Sequence, residues 1–487
     1  MALTDASLEI RAGERLAVVG ENGAGKSTLM NVLYGLYRPD SGEVLFEGRR
    51  VTLRSPRDAM ALGVGMVHQH FMLVPSLSVA ENVVLGQEPR RWGGRFDVVA
   101  AERGVRETAE RYGFKLDPRA KIRDLTLGSQ QKVEILKALY RGAKTLILDE
   151  PTAVLTPQEA DELLEVTRGL ARAGNTVLFI GHKLKEVLAF SERIVVLRRG
   201  QVVGEACSAE ATPESLATLM VGTQMPAPTP HSPRPPGDVL LRIRDLRTVV
   251  GVPLSIDALE VRAGEVVGIA GVDGNGQTEL AEVIAGLRPL TAGSVELAGL
   301  DITRASVRVR RDAGLAHIPE DRHARAMVGE LSVEENLALG RQDRAPFVRG
   351  PLVAFDRRRA FAAARVESFD VRPPDASIAM GQLSGGNQQK VVLARELAME
   401  PRLLLAVQPT RGLDVRAVRA VQGRLEDVRA RGGGVLLVSL DLEEVIALCD
   451  RVYVLSRGRV TGTYARAGFD ARSMGTAMLQ TGARADV

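Results

Sequence analysis

The sequence predicts two tandem α/β domains, each with a mainly parallel β-sheet core and a helical subdomain. Three features support this: segments of the N-terminal half recur in the C-terminal half, a proline-rich stretch separates the copies, and apolar strands alternate with helices within each copy. A chain of 487 residues is also too long for one compact core.

The internal repeat covers most of the chain. Three pairs of segments match in the same order: residues 13–44 with 264–295, 77–86 with 331–340, and 125–139 with 383–397. The offset between the copies grows only from 251 to 258 residues. The two halves are therefore one domain duplicated, with small loop insertions.

A proline-rich segment, MPAPTPHSPRPPG at residues 225–237, lies between the copies. Proline fixes its own φ and lacks a backbone donor, so this segment favours extended conformations and joins neither core. We therefore place the first domain at residues 1–224, the linker at 225–237 and the second domain at 238–487.

Short apolar segments alternate with helical patterns within each copy. In the first copy, residues 15–19, 145–150 and 176–182 are expected to be buried strands, each followed by a turn and a helix. Such interleaving is typical of parallel sheets that are covered on both faces. Residues 88–140 have a mainly helical pattern and predict the helical subdomain.

The composition excludes several classes of protein. Lys and Arg number 64 against 60 Asp and Glu, and the arginines form only short clusters, so we expect no nucleic-acid partner. Two cysteines cannot build a disulfide framework or a Cys-rich zinc site. No apolar run approaches the ~18 residues of a membrane span, and the first residues do not resemble a signal peptide. We therefore expect a cytosolic chain.

The segment from Gly20 to Thr28, GENGAGKST, matches the phosphate-binding pattern G-x-x-x-x-G-K-[ST] and lies between a predicted strand and a predicted helix. Its glycines allow backbone N–H groups to face phosphate oxygens at the helix N-terminus. Lys26 would neutralise the β- and γ-phosphates, and the Ser27 hydroxyl would hold Mg²⁺. The pattern predicts a nucleotide site.

Two carboxylates, Asp149 and Glu150, end the apolar strand at residues 146–150. Ligands bind at the carboxyl ends of strands in sheets of this kind. Asp149 is then expected in the Mg²⁺ shell, and Glu150 as a base or an orienter for the attacking water. The alternative is a strand-end helix cap, because a helical pattern begins soon afterwards.

With these motifs the chain resembles the ATPases of ABC transporters over nearly its whole length. The resemblance makes residues 20–28 the Walker A loop and residues 146–150 the Walker B strand. It implies that the first-half nucleotide-binding residues are Gly20, Glu21, Asn22, Gly23, Ala24, Gly25, Lys26, Ser27 and Thr28. Each domain is then an ABC-type P-loop ATPase, with ATP and Mg²⁺ as cofactors.

The resemblance assigns two further residues. Gln69 corresponds to the Q-loop glutamine, which touches Mg²⁺ and faces the membrane subunit, and His182 to the switch histidine, which contacts the γ-phosphate. The implied catalytic residues are Glu150, His182 and Gln69, and the implied metal ligands are Ser27, Gln69 and Asp149. The histidines on either side of Gln69, His68 and His70, could instead chelate a metal ion.

Two such domains joined by a proline-rich linker resemble the ATP-binding subunits of importers for simple sugars or nucleosides. Residues 65–86 and 316–328 are most similar to the nucleoside branch. The resemblance implies an integral-membrane permease as partner, with an extracytoplasmic solute-binding protein reached indirectly. It also implies a peripheral position on the cytoplasmic face of the membrane.

The second half has exchanged its polar catalytic side chains. The internal alignment pairs Lys26 with Gln277, Asp149 with Val407, Glu150 with Gln408, Gln69 with Glu320, and His182 with Leu440. A valine cannot ligate Mg²⁺, and a glutamine is no useful proton acceptor. The second half is therefore expected not to hydrolyse ATP with its own motifs.

The signature motif shows the opposite bias. The second half keeps Ser384, Gly385, Gly386 and Asn387 near the family consensus LSGGQ, whereas the first half has Leu127 in place of a glycine. Domains of this family pair head to tail, so the resemblance implies one complete site, made from the first-half Walker motifs and the second-half signature. The alternative is random drift of the second half.

Two other functions stay open at this point: a soluble tandem ATPase acting on the ribosome or nucleic acid, and a non-hydrolysing scaffold. Fewer residues precede Gly20 in the first half than separate the linker from Gly271 in the second. We therefore expect the native polypeptide to begin upstream of Met1, or the adenine pocket of the first half to be weakened.

Overall fold

The structure is a computed structural model that describes residues 3–21, 23–68, 71–152, 155–181, 183–222, 234–350 and 352–479. The chain divides into two compact units, Met1–Pro226 and Ala227–Val487, called here the first and second halves.

The first half is an α/β domain with eight strands and eight α-helices in the described residues. The strands are β1 (Arg15–Val19), β2 (Val44–Phe46), β3 (Arg49–Val51), β4 (Val64–Val67), β5 (Thr145–Asp149), β6 (Thr176–Ile180), β7 (Arg193–Arg198) and β8 (Gln201–Cys207). The helices are α1 (Lys26–Leu33), α2 (Pro56–Ala61), α3 (Val79–Val84), α4 (Val98–Arg111), α5 (Leu127–Tyr140), α6 (Pro157–Arg172), α7 (Leu184–Phe190) and α8 (Pro213–Val221).

The main sheet of the first half has six strands in the order β4-β5-β6-β1-β7-β8. Neighbouring strands from β4 to β7 run parallel, and β8 is antiparallel to β7. Leu16, Ile147, Leu178 and Val195 belong to one buried cluster that includes Met30 of α1. The predicted parallel core is therefore confirmed, and its strands are apolar because both faces are covered.

The helical subdomain contains α3, α4 and α5, and the last two lie within the segment predicted to be helical. The sequence pattern S-x-x-E sets the start of α3, where Ser78 and Glu81 form a reciprocal capping box. Ser332 and Glu335 form the same box in the second half.

The second half has twelve strands and nine α-helices in the described residues. The strands are β9 (Val239–Arg247), β10 (Ser255–Arg262), β11 (Val266–Ala270), β12 (Ala292–Leu297), β13 (Leu300–Asp301), β14 (Leu315–Ile318), β15 (Val348–Arg349), β16 (Leu352–Val353), β17 (Leu403–Val407), β18 (Gly434–Ser439), β19 (Arg451–Ser456) and β20 (Arg459–Ala465). The helices are α9 (Gln277–Ala285), α10 (Val307–Asp312), α11 (Arg322–Arg325), α12 (Val333–Ala338), α13 (Phe355–Ser368), α14 (Gly385–Leu397), α15 (Val415–Ala430), α16 (Leu442–Leu448) and α17 (Ala471–Leu479).

The main sheet of the second half has ten strands in the order β13-β12-β9-β10-β20-β19-β11-β18-β17-β14. Read in the opposite direction, from β14 to β20, its last six strands repeat the order of the first-half sheet. The remaining four strands extend this sheet because β10 pairs with β20, and β9 pairs with both β10 and β12. In the first half the equivalent hairpin, β2 with β3, pairs with no other strand among the described residues.

No helix in these described ranges is both long and apolar enough to cross a membrane.

Candidate nucleotide-binding site

The predicted phosphate loop of the first half connects β1 to α1. Gly25 caps α1 with φ of 104°, and Gly23 has φ of 80°. Glycine adopts these angles without the steric cost that a Cβ imposes. The loop conformation therefore depends on glycine.

Lys26 is held against this loop. It is 7% exposed, and its ammonium donates to the carbonyl oxygens of Gly20 at 2.7 Å and Glu21 at 3.0 Å. Burial lowers the pKa of Lys26, while the carboxylates of Glu150 and Asp149 act in the opposite direction. The ammonium of Lys26 therefore lies close enough to the carboxylates of Asp149 and Glu150 for their charges to interact.

The strand register brings the ends of β1 and β5 to the same edge of the sheet. Ile180 of β6 is paired with Asp149 on one side and with Val18 on the other. Burial and the neighbouring Glu150 carboxylate raise the pKa of Asp149, and the Lys26 ammonium lowers it, so that the net pKa is about 6. The loop lysine and the strand-end acids thus form one site, as the strand-end rule predicts.

Glu150 occupies a backbone conformation that is unusual for a side chain other than glycine. Its φ is 47°, and its N–H donates to the Ile180 carbonyl oxygen at 2.9 Å. The turn directs the chain away from the sheet immediately after β5. Glu150 therefore lies at the edge of the site instead of continuing the strand.

Sequence reasoning missed the contact that secures this turn. Thr152 is 4% exposed, and its hydroxyl donates to the Glu186 carboxylate on α7. Glu186 also forms an ion pair with Lys183 at 3.4 Å, immediately after the position predicted to be the switch histidine. One relevant residue is visible in the sequence, the threonine directly after Glu150-Pro151, but its partner lies 34 residues further on.

Several predicted site residues lie outside the described residues: Asn22, Gln69 and His182, together with His70 of the alternative metal site. Of the others, Gly23 and Ser27 are exposed, Glu21 and Thr28 are half-buried, and Ala24 is buried. His68 is half-buried with its ring 6.1 Å from that of Tyr34. Among the described residues there is no group of three His, Cys, Asp or Glu side chains arranged to hold a metal.

The second half repeats the phosphate loop without its cation. Gly274 and Gly276 have φ of 79° and 104°, close to the values of their counterparts Gly23 and Gly25. The Gln277 side chain donates to the Val272 carbonyl oxygen at 2.9 Å and accepts from the Asn275 N–H at 3.1 Å. An uncharged amide therefore makes the kind of backbone contact that Lys26 makes.

At the end of β17 the second half repeats the backbone conformation found at the end of β5, but not its side chains. Val407 is 3% exposed, and Gln408 has φ of 49° and donates its N–H to the Val438 carbonyl oxygen at 2.7 Å. This is the geometry of Asp149 and Glu150 without either carboxylate.

The two signature segments differ at their helix N-termini. In the second half, Ser384 precedes α14 and is exposed, and its hydroxyl accepts from the Asn387 amide at 3.0 Å. Gly385 adjoins Arg322 so closely that a Cβ would lie 2.7 Å from the guanidinium nitrogen.

In the first half the corresponding segment contacts α6 of the same half. Gly128 donates its N–H to Glu159 of α6 at 3.3 Å, and Leu127 is the first residue of α5. Each half therefore holds one set of predicted residues: Lys26, Asp149 and Glu150 in the first, and the signature from Ser384 to Asn387 in the second.

The sequence matches a known family in both halves. The family described as "ABC transporter" matches residues 3–153 and 254–411. The nucleoside import ATP-binding protein NupA of Lactococcus lactis is 44% identical over 94% of this chain and 90% of its own length. The glucose import ATP-binding protein TsgD13 of Haloferax volcanii is 47% identical over 93% and 88%. The guanosine import ATP-binding protein NupO of Bacillus subtilis is 43% identical over 93% and 89%.

A solved structure of an archaeal ribosome recycling factor, aABCE1, has a TM-score of 0.63 to this chain. It is 20% identical, and the match covers 96% of this chain and 88% of the other. At this identity the likeness concerns the fold alone. The family match and the curated relatives decide the assignment: the chain belongs to the ABC transporter family and carries two of its ATP-binding domains.

Proposed function

We propose that the chain is the ATP-hydrolysing subunit of a membrane importer for simple sugars or nucleosides, with one complete ATP site. The observation that carries the proposal is the contrast between matched positions. Lys26, Asp149 and Glu150 stand where the second half has Gln277, Val407 and Gln408 on the same backbone. The names of the curated relatives, which are import proteins for nucleosides and sugars, support the transported class.

The oxygen donors of the first half fit a magnesium ion. Mg²⁺ prefers carboxylate and hydroxyl oxygens together with substrate phosphates, and Ser27 and Asp149 offer such oxygens beside the loop. Burial and the adjacent Glu150 carboxylate raise the pKa of Asp149, which means that its charged form is disfavoured, and a bound cation would stabilise that form. When bound, Mg²⁺ would neutralise phosphate charge.

The side chains have distinct roles in this proposal. Lys26 would bind the β- and γ-phosphates, and Gly23 and Gly25 would allow backbone N–H groups to face their oxygens. Glu150 would orient the attacking water and accept its proton. Gln69 and His182 are proposed to complete the site at the metal and at the γ-phosphate.

The second half would complete the site with its signature. In the proposed head-to-tail pairing, Ser384, Gly385, Gly386 and Asn387 face the γ-phosphate bound by the first half. The permease would hold the protein at the cytoplasmic face of the membrane and couple hydrolysis to import.

The test compares two matched substitutions, Glu150→Gln and Gln408→Ala, in the complex reconstituted with its permease. Glu150→Gln keeps the shape of the side chain but removes the proton acceptor, so transport-coupled ATPase activity should fall roughly 10²–10⁴-fold. Gln408→Ala should leave most turnover intact. Loss of activity in both variants would refute the proposal of a single hydrolytic site.

A further inference from the structure

The position that would hold a metal ion in the first half has lost its ligands in the second half, and it also has an arginine beside it there. In the second half, Thr278 stands at the position of Ser27, Val407 at that of Asp149, and Glu320 at that of Gln69. The internal alignment also places Arg411 opposite Ala153. A cationic side chain therefore lies in the turn that follows the strand-end position.

These side chains contact one another directly. The Thr278 hydroxyl donates to one carboxylate oxygen of Glu320 at 3.3 Å. The other carboxylate oxygen accepts a charge-assisted hydrogen bond from the Arg411 guanidinium. The hydroxyl that would hold a metal is thereby linked through one carboxylate to an arginine.

The backbone of Arg411 is fixed from two sides. Its N–H donates to the Gln408 carbonyl oxygen at 3.1 Å, and its own carbonyl oxygen accepts from the Arg322 guanidinium at 3.4 Å. The side chain of Arg411 is 56% exposed, whereas that of Glu320 is 24% exposed. The guanidinium therefore reaches Glu320 from a turn whose position is set independently of this ion pair.

This arrangement does not fit Mg²⁺. The protein usually contributes one or two carboxylates to a bound Mg²⁺, but Val407 supplies none and the Glu320 carboxylate is already paired with a permanent cation. A bound metal would have to displace the guanidinium or tolerate its charge. The missing aspartate and the positive charge of Arg411 therefore both disfavour a metal ion in the second half.

We propose that Arg411 takes the place of the divalent metal in the second half and excludes it from the second phosphate loop. Glu320 is the positioning residue that holds the guanidinium beside Thr278. The inference deepens the proposed function, since it explains why a metal ion would be confined to the first half.

The experiment counts metal ions on the full-length chain. Mn²⁺ replaces Mg²⁺, and bound Mn²⁺ per chain is measured by equilibrium dialysis with a saturating non-hydrolysable ATP analogue. Wild type should bind one Mn²⁺. Arg411→Glu, which exchanges the cation for an oxygen donor on a half-exposed side chain, should bind two. Arg411→Lys keeps the charge and should bind one.

Two further variants sharpen the result. Val407→Asp restores the strand-end carboxylate while Arg411 stays in place, so it should still bind one Mn²⁺. Arg416→Glu changes the charge of another exposed arginine in the same region and should also bind one. A thermal melting curve verifies that the Val407→Asp protein is folded. The comparison of Arg411→Glu with wild type does not depend on the Val407→Asp variant.

Two Mn²⁺ ions on wild type or on Val407→Asp, or a single ion on Arg411→Glu, would overturn the proposal. Failure of the underlying function is recognised separately. Lys26→Ala should remove the ion that wild type binds, and if that ion persists, it is not in the first half.

Discussion

Gly20 lies against the backbone of Leu197, so that a Cβ on Gly20 would stand 2.3 Å from the Leu197 carbonyl oxygen. The same contact recurs in the second half, where a Cβ on Gly271 would lie 2.5 Å from the Leu455 carbonyl oxygen. Each phosphate loop begins at a point where β1 or β11 passes close to the end of the adjacent strand. The first residue of the loop must be glycine because the neighbouring obstacle is backbone.

Gly20→Ala should therefore displace the phosphate loop. We expect nucleotide binding to be lost and the free energy of unfolding to fall by about 1–3 kcal/mol, the usual cost of overpacking. Gly169→Ala is the matched control, because a Cβ there meets nothing within 4 Å and its φ is not left-handed. Nucleotide titration and urea unfolding of both variants test the expectation. Normal nucleotide affinity in Gly20→Ala would contradict it.

The proposed head-to-tail site predicts an asymmetric response to one substitution made in both halves. Ser384→Arg should abolish transport-coupled ATPase activity, because it would place bulk and positive charge against the γ-phosphate. Thr126→Arg, at the equivalent helix cap of the first half, should leave most turnover intact. Steady-state ATPase rates of the reconstituted complex give the answer. Equal loss in both variants would argue against the pairing.

Glu444 predicts a pH dependence of stability. It is 5% exposed and accepts from the Ser439 hydroxyl at 2.6 Å, and burial raises its pKa to about 7. A folded-state pKa above the ordinary value of 4.5 means that this contribution to stability is fully present below about pH 4.5 and is lost as the pH rises through 7. Glu444→Gln carries no charge and avoids this loss.

Between pH 5 and pH 8.5, Glu444→Gln should therefore lose roughly 2–3 kcal/mol less stability than wild type. Glu443→Gln, at the exposed neighbouring position, controls for loss of a surface charge and should follow wild type. Urea unfolding at the two pH values provides the comparison. Parallel pH profiles for wild type and Glu444→Gln would exclude a raised pKa.

The two cysteines should report separately on the two halves. Cys207 is exposed, whereas Cys449 is fully buried and burial raises its thiol pKa well above the ordinary range. Because the thiolate is the reactive form, a thiol reagent should modify the exposed Cys207 rapidly in the native protein. Cys449 should react only when the second half opens.

Mass spectrometry after timed labelling identifies the modified residue, and Cys207→Ser should abolish the rapid phase. Comparable rates at both cysteines in native protein would contradict the burial of Cys449.

Much of the site could be predicted because its chemistry is local in sequence. The residues from Gly20 to Thr28 are contiguous, and Asp149 and Glu150 end a recognisable apolar strand. The parallel sheet then brings the two segments together by a general rule. The sequence alone therefore groups Lys26 with the two carboxylates.

The contacts that the sequence did not reveal join distant segments through side chains. Arg411 and Glu320 lie 91 residues apart, and Thr152 and Glu186 lie 34 apart. No periodic pattern links such pairs, since their contact depends on how turns at the sheet edge are placed. The alignment of the halves showed that Gln277 replaces Lys26, but it could not show that the amide reproduces the backbone contact of the ammonium.

The turn shared by Glu150 and Gln408 has a consequence for redesign. Both residues keep φ near +50°, a region that costs a non-glycine residue about 1–2 kcal/mol. The second half retains this conformation although it has no carboxylate to orient. At this turn the two halves therefore differ in side chains and not in backbone, so an attempt to restore a carboxylate at Gln408 would not require the turn to be rebuilt.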